Sequence, residues 1–114
     1  MPDPSVIEPE SYTLDAALLA APGNVDIQLS LFRDYATNVA MYPRFQAYLR
    51  ASQPPVLAVW GKNDLFFVPA GAEAFRRDVP AAEVELLDAG HFVLETNLVQ
   101  VAELILSFLA RKGL

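Results

Sequence analysis

The chain has 114 residues, a net charge of −6 and a hydrophobic content of 54%, with a mean hydropathy of +0.27. One histidine and no cysteine exclude disulfides and leave no plausible zinc site. Basic residues that are few and scattered argue against nucleic acid as a partner. Small domains bury little surface and are usually more polar, so this composition indicates a surface made to face something else.

The N-terminus and the apolar runs bear on location. Met1-Pro2-Asp3-Pro4 is acidic and proline-rich, without the basic and apolar segments of a signal peptide. The longest apolar runs are far shorter than a membrane span. We therefore expect a soluble, cytoplasmic chain with no membrane partner.

The first half of the chain predicts helices after an irregular lead-in over residues 1–10. Ser11 is placed to cap a short helix that ends at Pro22-Gly23, and Asn24 is placed to cap a second helix. The apolar stripe of the second helix comprises Leu31, Phe32, Tyr35, Ala36 and Val39. Tyr42-Pro43 predicts a break that is followed by a new helical segment, because the residue before a proline is disfavoured in the α conformation.

The second half predicts two strands and two helices. Residues 56–60 form an apolar run bounded by prolines and a glycine, which is typical of a parallel strand covered on both faces. Residues 69–78 predict a helix that starts and stops at prolines. Residues 84–87 alternate, which predicts a strand with Val84 and Leu86 facing inward. A final helix is expected between an Asn97 cap and Gly113.

Two polar side chains follow the predicted strands. Asp64 comes just after the first strand and His91 just after the second. Strands joined by a helix run parallel, so their carboxyl ends meet at one edge of the sheet, where open α/β sheets bind ligands. The pattern therefore predicts an α/β fold with an acid and a histidine side by side.

The residues around this pair resemble those of a known family. Trp60-Gly61-Lys62-Asn63-Asp64, followed by Leu87-Asp88-Ala89-Gly90-His91-Phe92, resembles the C-terminal end of an α/β-hydrolase, closest to haloalkane dehalogenases, epoxide hydrolases and related esterases. Upstream, Ser11-Tyr12-Thr13-Leu14-Asp15 and Pro22-Gly23-Asn24 resemble the end of that family's helical cap. The resemblance implies a partial α/β-hydrolase fold, with cap-derived helices over residues 1–53 and a β-α-β-α part of the core over residues 54–114.

The resemblance also implies roles for two side chains: His91 is the expected general base and Asp64 the acid that orients it. Phe66 and Phe67, adjacent aromatics beside the acid, are expected to line a substrate pocket. The competing interpretations are an ordinary loop histidine, a turn aspartate and one phenylalanine that belongs to the core. Asn63 is expected to be a turn residue and Lys62 to be solvated. Four other aromatic residues are expected to pack rather than to line a pocket, namely Tyr35, Tyr42, Phe45 and Trp60.

The family's nucleophile motif is missing. Neither Gly-x-Ser-x-Gly nor Gly-x-Asp-x-Gly occurs in the sequence. The serines, none of which has the required strand-to-helix turn, are Ser5, Ser11, Ser30, Ser52 and Ser107. We therefore expect a C-terminal hydrolase fragment that supplies acid and base, needs no cofactor or metal, and meets a small-molecule substrate only with an N-terminal half.

A second hypothesis belongs to a different class. Without the rest of the sheet, the first strand and the cap-like helices would leave apolar surface open to another chain. The alternative is thus a non-catalytic α/β module that associates with itself or with a partner. The sequence leaves open which bond the complete family member cleaves, whether an ester, an epoxide or a carbon–halogen bond.

Overall fold

The computed structural model describes residues 7–114, and six helices and two strands lie within them. In chain order the elements are α1 (Pro9–Leu19), α2 (Asn24–Ser52), β1 (Leu57–Gly61), α3 (Ala70–Glu73), α4 (Phe75–Asp78), β2 (Glu83–Leu87), α5 (Val93–Thr96) and α6 (Leu98–Lys112). None of the helices in this part of the chain combines the length and apolar character that crossing a bilayer requires.

The two strands form a parallel sheet, as the sequence predicted. The register pairs Leu57 with Glu83 and Gly61 with Leu87. Beyond the strand ends, the Val56 carbonyl accepts the Glu83 amide at 3.0 Å and the Lys62 amide donates to the Leu87 carbonyl at 2.8 Å. Within residues 7–114, β2 is the one strand that pairs with β1, so the other edge of β1 is open.

A small core lies between the sheet and α6. Val101 and Phe108, two helical turns apart on α6, are 4% and 7% exposed. Leu87 at the end of β2 packs with Ala89 and Val101. The other buried apolar residues of the described chain are Ala58, Ala72, Val79 and Ala82. Every buried residue among residues 7–114 thus lies in the second half of the chain.

Helix α2 is continuous where the sequence predicted a break. Pro43 lies inside a helix of 29 residues. A proline removes one backbone hydrogen bond and crowds the preceding turn, but many intact turns remain on both sides. The Tyr35 and Tyr42 hydroxyls, 2.6 Å apart, also link the two turns before the proline. The local preference is overridden by the length of the helix.

The predicted caps of the first two helices are three residues and one residue from the observed ones. Glu8 is the N-cap of α1 and Pro9 its first residue, a position where proline's missing N–H costs nothing. Ser11 therefore lies inside the helix, and residues 1–6 of the predicted irregular lead-in are outside the described part. Gly23, with φ of 85°, is the N-cap of α2. That left-handed turn suits glycine, so Asn24 becomes the first helical residue.

Three expectations for the second half need correction. The predicted helix over 69–78 is two short helices, α3 and α4, which meet at Ala74. The predicted inward face of β2 is only partly covered: Val84 is half-buried and Leu86 is 40% exposed. β1 is half-covered rather than enclosed, with Ala58 and Gly61 its buried residues. Too little of the described chain packs over the sheet to bury both faces.

Both ends of α6 lie where the sequence predicted them. Asn97 occupies the N-cap position, although its side chain makes no capping hydrogen bond, and Gly113 ends the helix at φ of 69°. Arg111 and Lys112 in the last turn both pair with Glu83 at the start of β2. Arg111 also lies at the C-terminal end of α6, where the helix dipole favours a cation. The ion pairs with Glu83 attach α6 to the sheet.

Candidate active site

The carboxyl ends of β1 and β2 bring Asp64 and His91 together. β1 ends at Gly61 and β2 at Leu87, and each side chain follows in the loop after its strand. The Asp64 Oδ2 atom lies 3.0 Å from Nδ1 of His91. The hydrogen-bond distance expected from the shared sheet edge is therefore present in the structure.

Asp64 is the one buried charged residue of the described chain, at 7% exposed. Its Oδ1 accepts hydrogen bonds from the backbone amides of Phe66 and Phe67, at 2.8 and 2.9 Å. These bonds fix the carboxylate, so that its second oxygen faces the imidazole. The side chain is therefore buried rather than solvated, and its bonds to the amides two and three residues on are those of a turn aspartate.

Two opposing effects set the pKa of Asp64. Burial acts to raise the pKa by disfavouring the charged form. The hydrogen bonds from His91 and from the two amides favour the charged form and outweigh burial, so the pKa of Asp64 lies below its ordinary value. The carboxylate is therefore ionised at neutral pH and is a pure acceptor.

The acceptor state of Asp64 determines which imidazole nitrogen carries the proton. An ionised carboxylate only accepts hydrogen bonds, so Nδ1 of His91 must be the donor. In the neutral ring, Nε2 then holds the lone pair. Within residues 7–114, Nε2 makes no hydrogen bond, and a third of the His91 side chain is exposed. This is the arrangement that a general base needs.

Three phenyl rings surround the imidazole. The ring centroids of Phe66, Phe67 and Phe92 lie 5.3, 5.2 and 5.2 Å from that of His91. Phe66 is 80% exposed and Phe67 is 54% exposed. They are therefore not core residues. Phe67 lines the adjacent cavity, whereas Phe66 lies beside the imidazole but does not line the cavity. Phe92 was not assigned to the site, although its position next to His91 was a signal.

An apolar cavity of about 190 Å³ opens beside the pair. Its lining residues are Val59, Trp60, Gly61, Asp64, Phe67, His91 and Val93. The Trp60 indole N–H donates to the Phe67 carbonyl at 2.6 Å, which holds the phenylalanine loop against β1. Trp60, expected only to pack, thus lines the cavity. Tyr35, Tyr42 and Phe45 lie on α2 and do not line it.

The loops that carry the acid and the histidine are joined to each other. The Asn63 amide donates to the Ala89 carbonyl at 3.0 Å. The Asn63 side chain donates to Asp88 Oδ1 at 2.9 Å, and Lys62 Nζ lies 3.0 Å from the same oxygen. The hydrogen bond from Asn63, with that from the Lys62 ammonium, holds the pKa of Asp88 below its ordinary value. Asn63 lies in the turn after β1, as expected, and also contacts the second loop. Lys62 remains largely exposed, as expected, and also pairs with Asp88.

The described serines lie on helices. Ser11 is in α1, Ser30 and Ser52 are in α2, and Ser107 is in α6. The Ser30 and Ser52 hydroxyls donate to the backbone carbonyls four residues earlier. Ser5 lies outside the described residues. Among residues 7–114, no group of three or more histidine, cysteine, aspartate and glutamate side chains is placed to hold a metal ion.

Comparisons with known proteins agree on the family. The family described as the α/β hydrolase fold matches residues 19–98 of the chain. A Saccharomyces cerevisiae protein described as an uncharacterized hydrolase is 52% identical over 104 residues, which cover 91% of this chain and 36% of the relative. No solved structure matches the chain significantly. The chain therefore spans little more than a third of the length of this curated relative.

Proposed function

The chain belongs to the α/β-hydrolase fold family, and on that premise we propose that it supplies the acid and the general base of a hydrolytic triad. The observation that carries the proposal is the 3.0 Å contact between the buried Asp64 carboxylate and His91 Nδ1. The nucleophile comes from a segment other than these 114 residues, either in the same polypeptide or in another.

The proposed chemistry follows from the two imidazole nitrogens. Nε2 of His91 takes a proton from the attacking hydroxyl or water, and the ring becomes an imidazolium. Asp64 remains ionised and stabilises that cation through the Nδ1–H hydrogen bond, which also keeps the ring in the productive tautomer. These proton transfers need neither a metal ion nor an organic cofactor.

The substrate class we propose is small and apolar. The apolar side chains that line the cavity are Val59, Trp60, Phe67 and Val93, and the exposed ring of Phe66 lies beside the base. An ester, an epoxide or a haloalkane would fit such an apolar site. These are the substrates of the branch that contains haloalkane dehalogenases and epoxide hydrolases. In this proposal residues 1–53 derive from the helical cap and residues 54–114 from the core.

Activity of the chain with and without a nucleophile tests the proposal. Alone, the chain should hydrolyse esters, epoxides and haloalkanes no faster than its His91→Ala variant, because the base has nothing to activate. Joined to the part of the yeast relative outside the matched segment, which we propose bears the nucleophile, it should turn over one of these substrates. An active fusion whose rate survives His91→Ala would overturn the proposal.

A non-catalytic module that associates with itself or a partner is the second candidate. The observations that favour it are the open edge of β1 and the exposed apolar side chains of α1 and α2. The exposed set includes Leu18, Val25, Leu31, Phe32, Val39, Phe45 and Tyr48. An inactive but well-folded fusion, together with a stable oligomer of the chain alone, would favour this candidate.

A further inference from the structure

The end of β1 lies unusually close to the loop that precedes His91. A Cβ atom added to Gly61 would lie 2.6 Å from the Ala89 carbonyl oxygen and well inside van der Waals contact of the Gly90 carbonyl oxygen. Both are backbone atoms, so no side chain can rotate out of the way. The backbone of one of the two loops would have to move.

The hydrogen bond between Asp64 and His91 also connects the loop after β1 to the loop after β2. Gly61 precedes Asp64 by three residues, and Gly90 is bonded directly to His91. A displacement of about 1 Å at these peptides is of the size that disturbs a catalytic geometry. The 3.0 Å contact between Oδ2 and Nδ1 has little room to lengthen before it ceases to be a hydrogen bond.

Two further hydrogen bonds, both donated by Asn63, connect the same two loops. Asn63 donates from its backbone to Ala89 and from its side chain to Asp88, at 3.0 and 2.9 Å. None of the three residues Asn63, Asp88 and Ala89 lines the cavity. They therefore hold the loops from outside the reacting groups.

We propose that Gly61 is a positioning residue for the Asp64–His91 pair, and that the Asn63–Asp88 hydrogen bond positions the same two loops. Gly61 acts by lacking a side chain, which lets the peptide before His91 approach the end of β1. The inference rests on the proposed function for its catalytic meaning, but the geometry that it predicts is measurable without turnover.

The composition of the chain makes that measurement direct. His91 is the sole histidine and Trp60 the sole tryptophan, so an NMR spectrum contains the side-chain signals of one imidazole and one indole. With ¹⁵N-labelled histidine, the nitrogen shifts of the neutral ring report which atom carries the proton. The full chain should show the proton on Nδ1. In an unconstrained histidine it lies mainly on Nε2.

Gly61→Ala is the test variant and Gly71→Ala its matched control. Gly61→Ala should move the imidazole proton towards Nε2 and raise the pKa of Asp64 towards its ordinary value. At Gly71 the nearest atom to an added Cβ is a Trp60 ring carbon at 3.9 Å, an ordinary contact, so the imidazole should not change. A folded Gly61→Ala variant with the full chain's imidazole shifts would overturn the proposal.

The side-chain contact gives a second pair of variants if Gly61→Ala does not fold, as judged by the Trp60 signal. Asp88→Ala removes the acceptor for Asn63 and should shift the imidazole in the same direction. Asp88→Asn keeps an acceptor oxygen and should restore the original shifts. Equal shifts in the full chain and in Asp88→Ala would overturn the proposal by this route.

The active fusion separates this proposal from the catalytic one. There, Gly61→Ala should lower kcat by about 10²-fold or more with little change in KM, because the added methyl group meets the Ala89 and Gly90 carbonyls and displaces the base. A displaced imidazole in Gly61→Ala with an inactive parent fusion would uphold positioning and overturn the catalytic role. An active fusion with an undisturbed imidazole in Gly61→Ala would overturn positioning alone.

Discussion

The helical first half and the β-α-β-α second half are similarly rich in apolar residues but use them differently. α1 and α2 bury none of their residues, whereas β1, β2, α3 and α6 all contribute to buried positions. The candidate site lies wholly in the half that has its own core. Apolar content therefore does not by itself mark a core, because burial requires a second surface to pack against.

Few contacts connect the two halves. Arg50 near the end of α2 pairs with Asp78 on α4 at 2.6 Å, and the Gln53 side chain donates to the Asp78 carbonyl at 2.8 Å. The rest of α2 extends away, and the radius of gyration is 17.0 Å. A compact chain of this length is expected near 13 Å. The helices are thus attached at one end and otherwise lack a packing surface within the described chain.

Catalysis should show the largest difference between the halves. In the fusion with a nucleophile-bearing part, Asp64→Asn should lower kcat on the order of 10³–10⁴-fold. Its amide oxygen should stay with the Phe66 and Phe67 amides, so the NH2 group faces Nδ1 and favours the wrong imidazole tautomer. Asp78→Asn, which removes a charge at the junction with α2, should change kcat far less. Steady-state kinetics of the two variants make the comparison, and similar losses in both would contradict the assignment of Asp64.

The second largest difference should be in how much the apolar residues of each half contribute to the free energy of unfolding. Phe108 is buried on α6, so Phe108→Ala should cost about 3–5 kcal/mol of the free energy of unfolding. Phe32 on α2 is 77% exposed, so Phe32→Ala should stay within about 0.5 kcal/mol. Urea unfolding followed by Trp60 fluorescence measures both. A comparable loss in Phe32→Ala would mean that α2 packs in solution against a surface absent from the structure.

Association should distinguish the halves through their exposed surfaces. We expect the isolated chain to self-associate at micromolar concentration, because β1 has an open edge and α2 exposes large apolar side chains. Phe32→Glu should reduce the mass measured by sedimentation. Val99→Glu, at a residue that is 72% exposed on α6, is the control and should leave the mass unchanged.

A monomer would contradict this expectation. If the chain sediments as a monomer and the amides of residues 56–60 are protected from hydrogen exchange, the N-terminal helices cover the open edge. The first half would then be packed in solution, and the comparison between the halves would fail.

The pH dependence of stability should show the smallest difference. The folded pKa of Asp64 lies below its ordinary value, so its contribution is complete above the unfolded pKa and is lost as pH falls through the folded pKa. Between about pH 5 and pH 3, the chain should lose stability more steeply than Asp64→Asn. Glu83 and Asp88, whose pKa values are also lowered, contribute equally to both proteins. Urea midpoints across this range give the slopes, and identical slopes would mean that the carboxylate does not titrate as described.

The sequence predicted those features that depend on short patterns. Apolar runs and punctuating prolines located both strands, and parallel pairing placed Asp64 beside His91. Gly113 as the end of α6 was likewise local information. In each case the residues that determine the feature are close in sequence or are related by a simple rule of topology.

Features that depend on packing were missed. Pro43 predicts a break from its own geometry, but the turns on both sides maintain α2. Asn63 and Lys62 are typical turn and surface residues, and only the approach of Asp88 gives them partners. Leu86 lies on the predicted inward face, yet too little of the chain covers it. Gly61 likewise shows its importance only once Ala89 and Gly90 are placed against it.

The central claim, that this chain already holds a base oriented by an acid, is tested most directly at the imidazole of His91. The ¹⁵N shifts of the neutral ring should place the proton on Nδ1 in the full chain and move it towards Nε2 in Asp64→Asn, since the carboxylate is the acceptor that holds it. A ring that carries its proton on Nε2 in the full chain, and that does not change in Asp64→Asn, would contradict the claim.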